Sequence, residues 1–180
     1  MTSANDGRGI GNTNGTVAFW VKPTADANLR GILSISDLAD TDSYMYFLLR
    51  TNLAWQTPDI TVQFANVSNG TVFLNCASVS NFPAGEWHHF AFTSGTTNNR
   101  MYFDGYPCGA DYDTESAATP DYGGWGKTMF DSVTIGANEI LTGPRRFFKG
   151  GLTDVMTWPT ALTDAQILDI YERTKQARGF

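Results

Sequence analysis

The stretch Gly85 to Gly109, GEWHHFAFTSGTTNNRMYFDGYPCG, contains three strands and the turns between them. From Trp87 to Thr93, His88, Phe90 and Phe92 alternate with Trp87, His89 and Ala91, and a strand sends successive side chains to opposite faces. Both faces are therefore largely apolar, as in a strand covered from two sides. A polar connector from Ser94 to Asn99 leads to Arg100 to Phe103, then Asp104-Gly105, then Tyr106 to Cys108. An Asp-Gly pair between apolar runs predicts a two-residue hairpin, because both central residues of a type I′ turn need positive φ.

Comparable runs lie on either side. Thr16 to Lys22 sets Val17, Phe19 and Val21 against Ala18 and Trp20 and is stopped by Pro23; Arg30 to Ser36 and Tyr44 to Arg50 follow. Ile60 to Ala65 and Thr71 to Cys76 flank the turn-forming Asn66 to Gly70, and Ser132 to Ile135 and Arg146 to Trp158 supply the last strands. Asp111 to Gly126, DYDTESAATPDYGGWG, has no sustained period and reads as a long surface loop. One helix closes the pattern. Thr163 and Gln166 have capping-box spacing, and Ile167, Ile170 and Tyr171 form one apolar stripe. About ten short strands and a single helix in 180 residues predict one all-β domain spanning 1–180, a two-sheet antiparallel sandwich with a short C-terminal helix.

Composition narrows the partners. Lys and Arg number 12 against 18 Asp and Glu, a formal net charge of −6, which repels a phosphate backbone and argues against nucleic acid. No stretch approaches the ~20 apolar residues of a membrane span, and the start, MTSANDGRGIGNTNG, shows no apolar core of a secretion signal. Residues 1–15 are expected to pack on their own domain or on a neighbouring subunit. Cys76 and Cys108 leave two alternatives open, one bridge or two buried thiols, and no Cys/His spacing suits zinc.

Four segments together resemble the laminin-G-like and concanavalin A-like jelly-roll superfamily: GTVAFWVKP (Gly15 to Pro23), GEWHHFAFTSG (Gly85 to Gly95), RMYFDG (Arg100 to Gly105) and FKGGLTDVMTWPTALTDAQILDIYE (Phe148 to Glu172). The resemblance implies two curved antiparallel sheets face to face, with ligands in the concave groove or at a rim of loops, often beside calcium. On that reading Trp20 and Trp87 are core aromatics, His89 donates a ring hydrogen bond inside the sandwich, Asp104 is a turn residue, and Asp154 fixes backbone near the closing strand.

The enzymes of that superfamily that cleave β-glucans carry Glu-x-Asp-x-Glu on one strand. Here Asp111-Tyr112-Asp113-Thr114-Glu115 has Asp where the nucleophile should be and runs into SAATPDYGG, so no catalytic residue is assigned. Calcium takes six to eight oxygen ligands. Asp37, Asp40 and Asp42 offer one cluster, and Asp111, Asp113 and Asn138 another. For sugar binding the candidate aromatics are Tyr44, Trp55, Tyr112, Tyr122 and Trp125, the last set among glycines at Gly123-Gly124-Trp125-Gly126. The expectation is a non-catalytic recognition or adhesion module for a glycan or protein surface, located extracellularly or on a virion. The main alternative is a structural decoration, fibre or tail component of a bacteriophage. A degenerate glycoside hydrolase stands third.

Overall fold

The computed structural model describes residues 14–24, 29–36, 44–52, 57–65, 72–78, 83–95, 99–108, 110–115, 132–140 and 143–179; within these, 44, 50–52, 57–65, 72–78, 110–115 and 140 are described by backbone and register. Thirteen strands and one helix are formed among these residues. In chain order they are β1 (Gly15–Pro23), β2 (Arg30–Ser36), β3 (Tyr44–Asn52), β4 (Thr57–Ala65), β5 (Val72–Ser78), β6 (His88–Ser94), β7 (Asn99–Phe103), β8 (Tyr106–Cys108), β9 (Ala110–Glu115), β10 (Ser132–Ile135), β11 (Asn138–Ile140), β12 (Gly143–Arg145), β13 (Gly150–Trp158) and α1 (Asp164–Arg178). A five-stranded sheet runs β13-β1-β6-β7-β8 and a six-stranded sheet runs β10-β2-β3-β4-β5-β9, all antiparallel; β11 and β12 form a separate hairpin. This is the two-layer sandwich expected from the alternation, and the jelly roll that the resemblance implied.

The two layers close because each strand gives one apolar row to the middle. Val17, Phe19 and Val21 of β1, Phe90 and Phe92 of β6 and Met101 of β7 meet Leu33 and Ile35 of β2 and Met45, Phe47 and Leu49 of β3, all essentially buried. The Phe47 ring stands edge-on to Phe19, Phe90 and Phe92 at centroid distances of 5.9, 6.3 and 5.9 Å, a favoured aromatic geometry. Each such side chain contributes about 1.5–3 kcal/mol by leaving water.

The second apolar row of β1 and β6 needs a different cover, and α1 supplies it. Trp20 lies here, under the helix, with its Nε1 donating to Thr174 Oγ1 at 2.8 Å and its ring stacked on Tyr171 at 5.6 Å. Ala18, Ala91, Tyr102 and Ile167 pack beside it. Thr163 and Gln166 form the capping box, and Gly179 ends the helix in the left-handed conformation. Both ends are pinned by charge. Asp164 accepts from Arg100 and Tyr102, and Arg178 donates two hydrogen bonds to Asp154, at 3.0 and 2.6 Å. Asp154 therefore anchors the helix C-terminus through its side chain, a different role from the backbone contact expected of it.

The Asp104-Gly105 turn has φ of 48° and 84°, as a type I′ turn requires. Asp104 does more than turn the chain: its carboxylate accepts the His89 backbone N–H at 2.8 Å and lies 2.9 Å from His88 Nδ1. Three further expectations change. Ala110 to Glu115 is a strand, paired with β5, where a loop was read. The strands β11 and β12 were not foreseen, since Asn-Glu-Ile and Gly-Pro-Arg carry no strand pattern. His89 makes no ring hydrogen bond: it is wholly buried under α1, and neither ring nitrogen has a partner.

Candidate functional site

The inner face of the six-stranded sheet is core, so the outer face decides what that sheet can do. In β2 the outward positions are Ser34 and Ser36, and each sits in a row that the register carries across neighbouring strands. Thr134, Ser34, Tyr46, Gln63, Asn75 and Thr114 are directly opposite one another in turn, from β10 through β2, β3, β4 and β5 to β9. Opposite residues of an antiparallel pair share a face. The outer surface thus carries an unbroken row of uncharged hydroxyl, phenol and amide residues. The adjacent row, Ile135, Leu33, Phe47, Val62, Cys76 and Tyr112, contains the core residues Leu33 and Phe47.

One end of the polar row is roofed. β11 crosses β2, and Ser34 Oγ bridges it by donating to the Glu139 carbonyl and accepting the Glu139 N–H, both at 3.0 Å. The crossing is so close that a Cβ on Gly31 would lie 2.2 Å from the Asn138 backbone nitrogen. The Glu139 carboxylate accepts hydroxyl hydrogens from Thr134 and Ser132, and these bonds hold its carboxyl below the usual range. Ser34 and Ser36 are buried, Tyr46 nearly so, and Asn138 is 1 % exposed with neither amide atom hydrogen-bonded.

The sequence-derived candidates scatter over this frame. Tyr44 stands at an outer position opposite Ser36, while Tyr112 is opposite Cys76, in the row shared with the core. Trp55, Tyr122, Trp125, Asp37, Asp40 and Asp42 lie outside the described residues, as do residues 1–13. Asp111 and Asp113 are on β9 and Asn138 is over β2. Four strand spacings separate those two strands, about 19 Å at ~4.8 Å each, so the three residues do not compose one cation site. Among the described residues no group of three or more His, Cys, Asp and Glu is placed to hold a metal. Cys108 is partly buried against the core; the Cys76 side chain is outside the described set.

Asp111 and Glu115 are also separated. β9 has a register shift against β5, so that Asp111 faces Ala77 and Glu115 faces Leu74. They are four residues apart on β9 but three apart on its partner. An odd number of positions reverses the face. The alternation that would keep the carboxylates of a Glu-x-Asp-x-Glu strand together is broken inside this triplet. What sequence reading missed, Gln63, Asn75, Thr114 and Glu139, are single polar residues among apolar ones; the alternation in ITVQFA and TVFLNC marked the faces, but only pairing aligns them.

Comparison with solved structures places the same architecture in carbohydrate-binding and enzyme contexts. The CBM40 domain of a Ruminococcus gnavus IT-sialidase, bound to α2,3-sialyllactose, is similar with a TM-score of 0.69 at 12 % identity, covering 90 % of this chain and 84 % of that one. A heptameric SAP-like pentraxin from Limulus polyphemus has a TM-score of 0.61 at 20 % identity over 89 % and 70 % of the two chains. The NanB sialidase of Streptococcus pneumoniae is similar at 0.68 and 16 % identity over 88 % of this chain, which spans only 24 % of that enzyme. At these identities the likeness establishes the fold. No curated protein matches in sequence. The family model described as the concanavalin A-like lectin/glucanases superfamily matches residues 2–168, nearly the whole sandwich and the start of its helix, and the chain belongs to that superfamily.

Proposed function

We propose that this chain is a non-catalytic, lectin-like module that binds carbohydrate on the outer face of its six-stranded sheet. The polar row across that face carries the reading. From Tyr46 to Thr114 the row spans about 14 Å at the spacing of neighbouring strands, the length of a short oligosaccharide. Amides and hydroxyls both donate and accept, as sugar hydroxyls do, so Gln63, Asn75 and Thr114 are suited to a neutral, polyhydroxylated ligand. A sugar-bound CBM40 domain among the similar structures supports the same reading. Rim aromatics, with Trp125 the first choice, would add stacking faces. Module of this kind act outside the cell, and the chain's location is proposed accordingly. The broken alternation between Asp111 and Glu115 supports the absence of glycosidase chemistry.

A glycan array followed by titration of the strongest hit tests this. Gln63→Ala and Asn75→Ala are expected to weaken binding at least tenfold each while leaving the melting temperature close to that of the parent. Silence across the array, with large oligomers on a sizing column, would favour the alternative of a docking body in a larger assembly.

A further inference from the structure

We infer that α1 is an acid-released cover: on mild acidification the helix leaves the five-stranded sheet as a unit while the two-layer body stays folded. The group that drives it is His89, at the seam between β6 and the helix. It is wholly buried, lies 5.4 Å from the Trp20 ring and 5.9 Å from the Tyr171 ring, and neither of its nitrogens is hydrogen-bonded. An imidazolium in this seat would hold two N–H donors with nothing to accept them, whereas water satisfies both once α1 has lifted. Protonation therefore favours the lifted state.

The charged and titratable groups around the ring come from its neighbouring elements. The turn after β7 brings Asp104 and β13 brings Asp154; both carboxylates draw a proton toward the ring, and desolvation outweighs them. β7 brings Arg100 and Tyr102, both engaged with Asp164. From α1 come Tyr171, whose hydroxyl accepts from Lys175, and Arg178, engaged with Asp154. β1 contributes Trp20, which does not titrate. Histidine is the side chain that ordinarily changes charge between pH 5 and 7. The chain's other one, His88, is on the opposite face of β6, stacked on Phe103.

α1 can leave without opening a sheet. It contributes no strand pairing, its buried residues are Ile167 and Tyr171, and the cluster beneath it is separate from the core between the sheets. Thr16 Oγ1 donates to the Thr160 carbonyl at 2.7 Å and accepts the Leu162 N–H at 2.9 Å. That clamp holds the connection on β1 and sets the hinge just beyond Leu162. Lifting the helix about it bares Ala18, Trp20, Ala91 and Tyr102.

Hydrogen exchange of the full chain at pH 7 and pH 5, corrected for the intrinsic pH dependence of exchange, tests the proposal. Opening of Asp164–Arg178 is expected to rise about twentyfold, the ratio set by a ring that titrates near 6.5 when exposed and at about 4 when covered, with the β6 amides unchanged. His89→Phe should lose the rise while β6 keeps its protection at pH 7. Arg178→Ala, which removes a pin at the helix C-terminus, should open α1 more at both pH values and keep the ratio. No rise in the wild-type chain, a rise shared by β6, or a rise that survives in His89→Phe would overturn it.

Discussion

Burial takes His89 from an ordinary pKa of 6.5 to about 4, because its desolvated ring loses more on charging than the nearby Asp104 and Asp154 carboxylates return. The ring lies 5.4 Å from Trp20 and 5.9 Å from Tyr171, joining sheet to helix as a neutral aromatic. The unfolded chain takes up the proton near pH 6.5, whereas the folded chain resists it down to about pH 4. Between these values unfolding binds protons. Stability from this residue is therefore complete above pH 6.5, is lost as pH falls through that window, and stops changing below about 4. From pH 7 to pH 5 the loss is about 2 kcal/mol. Urea unfolding at the two pH values should show a difference smaller by that amount in His89→Phe; an unchanged difference would show that the ring is charged or accessible when folded. The Trp-His-His run announced a buried strand, but not which of its two faces would lie under a helix, because apolar residues look alike beneath a sheet or a helix.

At the scale of elements, the crossing of β11 over β2 depends on the absence of a side chain at position 31. Gly31→Ala would place a carbon 2.2 Å from one backbone atom and 2.4 Å from another, neither of which yields as a flexible side chain would. A loss of about 3 kcal/mol is expected, at the upper end of ordinary single substitutions. Thermal unfolding would register it, and because the crossing roofs the Ser34 end of the polar row, glycan affinity should fall with it. A variant as stable as the parent would mean that β11 is not seated there. This element was illegible in the sequence for a physical reason. β1, β6 and α1 declare themselves through periodic apolar residues and a capping box, whereas β11 is held by a serine bridging a peptide unit and by two hydroxyls on Glu139, contacts that have no period.

For the molecule as a whole, the two-layer body was readable from alternation, and the superfamily could be recognised from four ordered segments. The polar row was not, because a row across six strands depends on register, and register is set jointly by turns and by burial rather than by any one strand. The shift in β9 shows the cost of ignoring this: Asp111, Asp113 and Glu115 look like a catalytic triplet in the sequence, yet their positions fall out of step on the sheet. Two carboxyls acting on one glycosidic bond must flank it. No release of reducing ends from β-glucans is therefore expected, and Glu115→Gln should change nothing; hydrolysis abolished by that substitution would refute the assignment of the chain as non-catalytic.

The placement of β1 between β6 and β13 also governs the order of assembly. The strand nearest the start of the sequence gains its second neighbour only when residues 150–158 arrive. Closing so large a loop is entropically costly before any contact rewards it, so the nascent chain holds β1, a largely apolar strand, with one edge unpaired until β13 has been made. Refolding should be slow, in the range of milliseconds to seconds, and chaperone capture of the emerging Gly15 to Pro23 segment is the natural consequence.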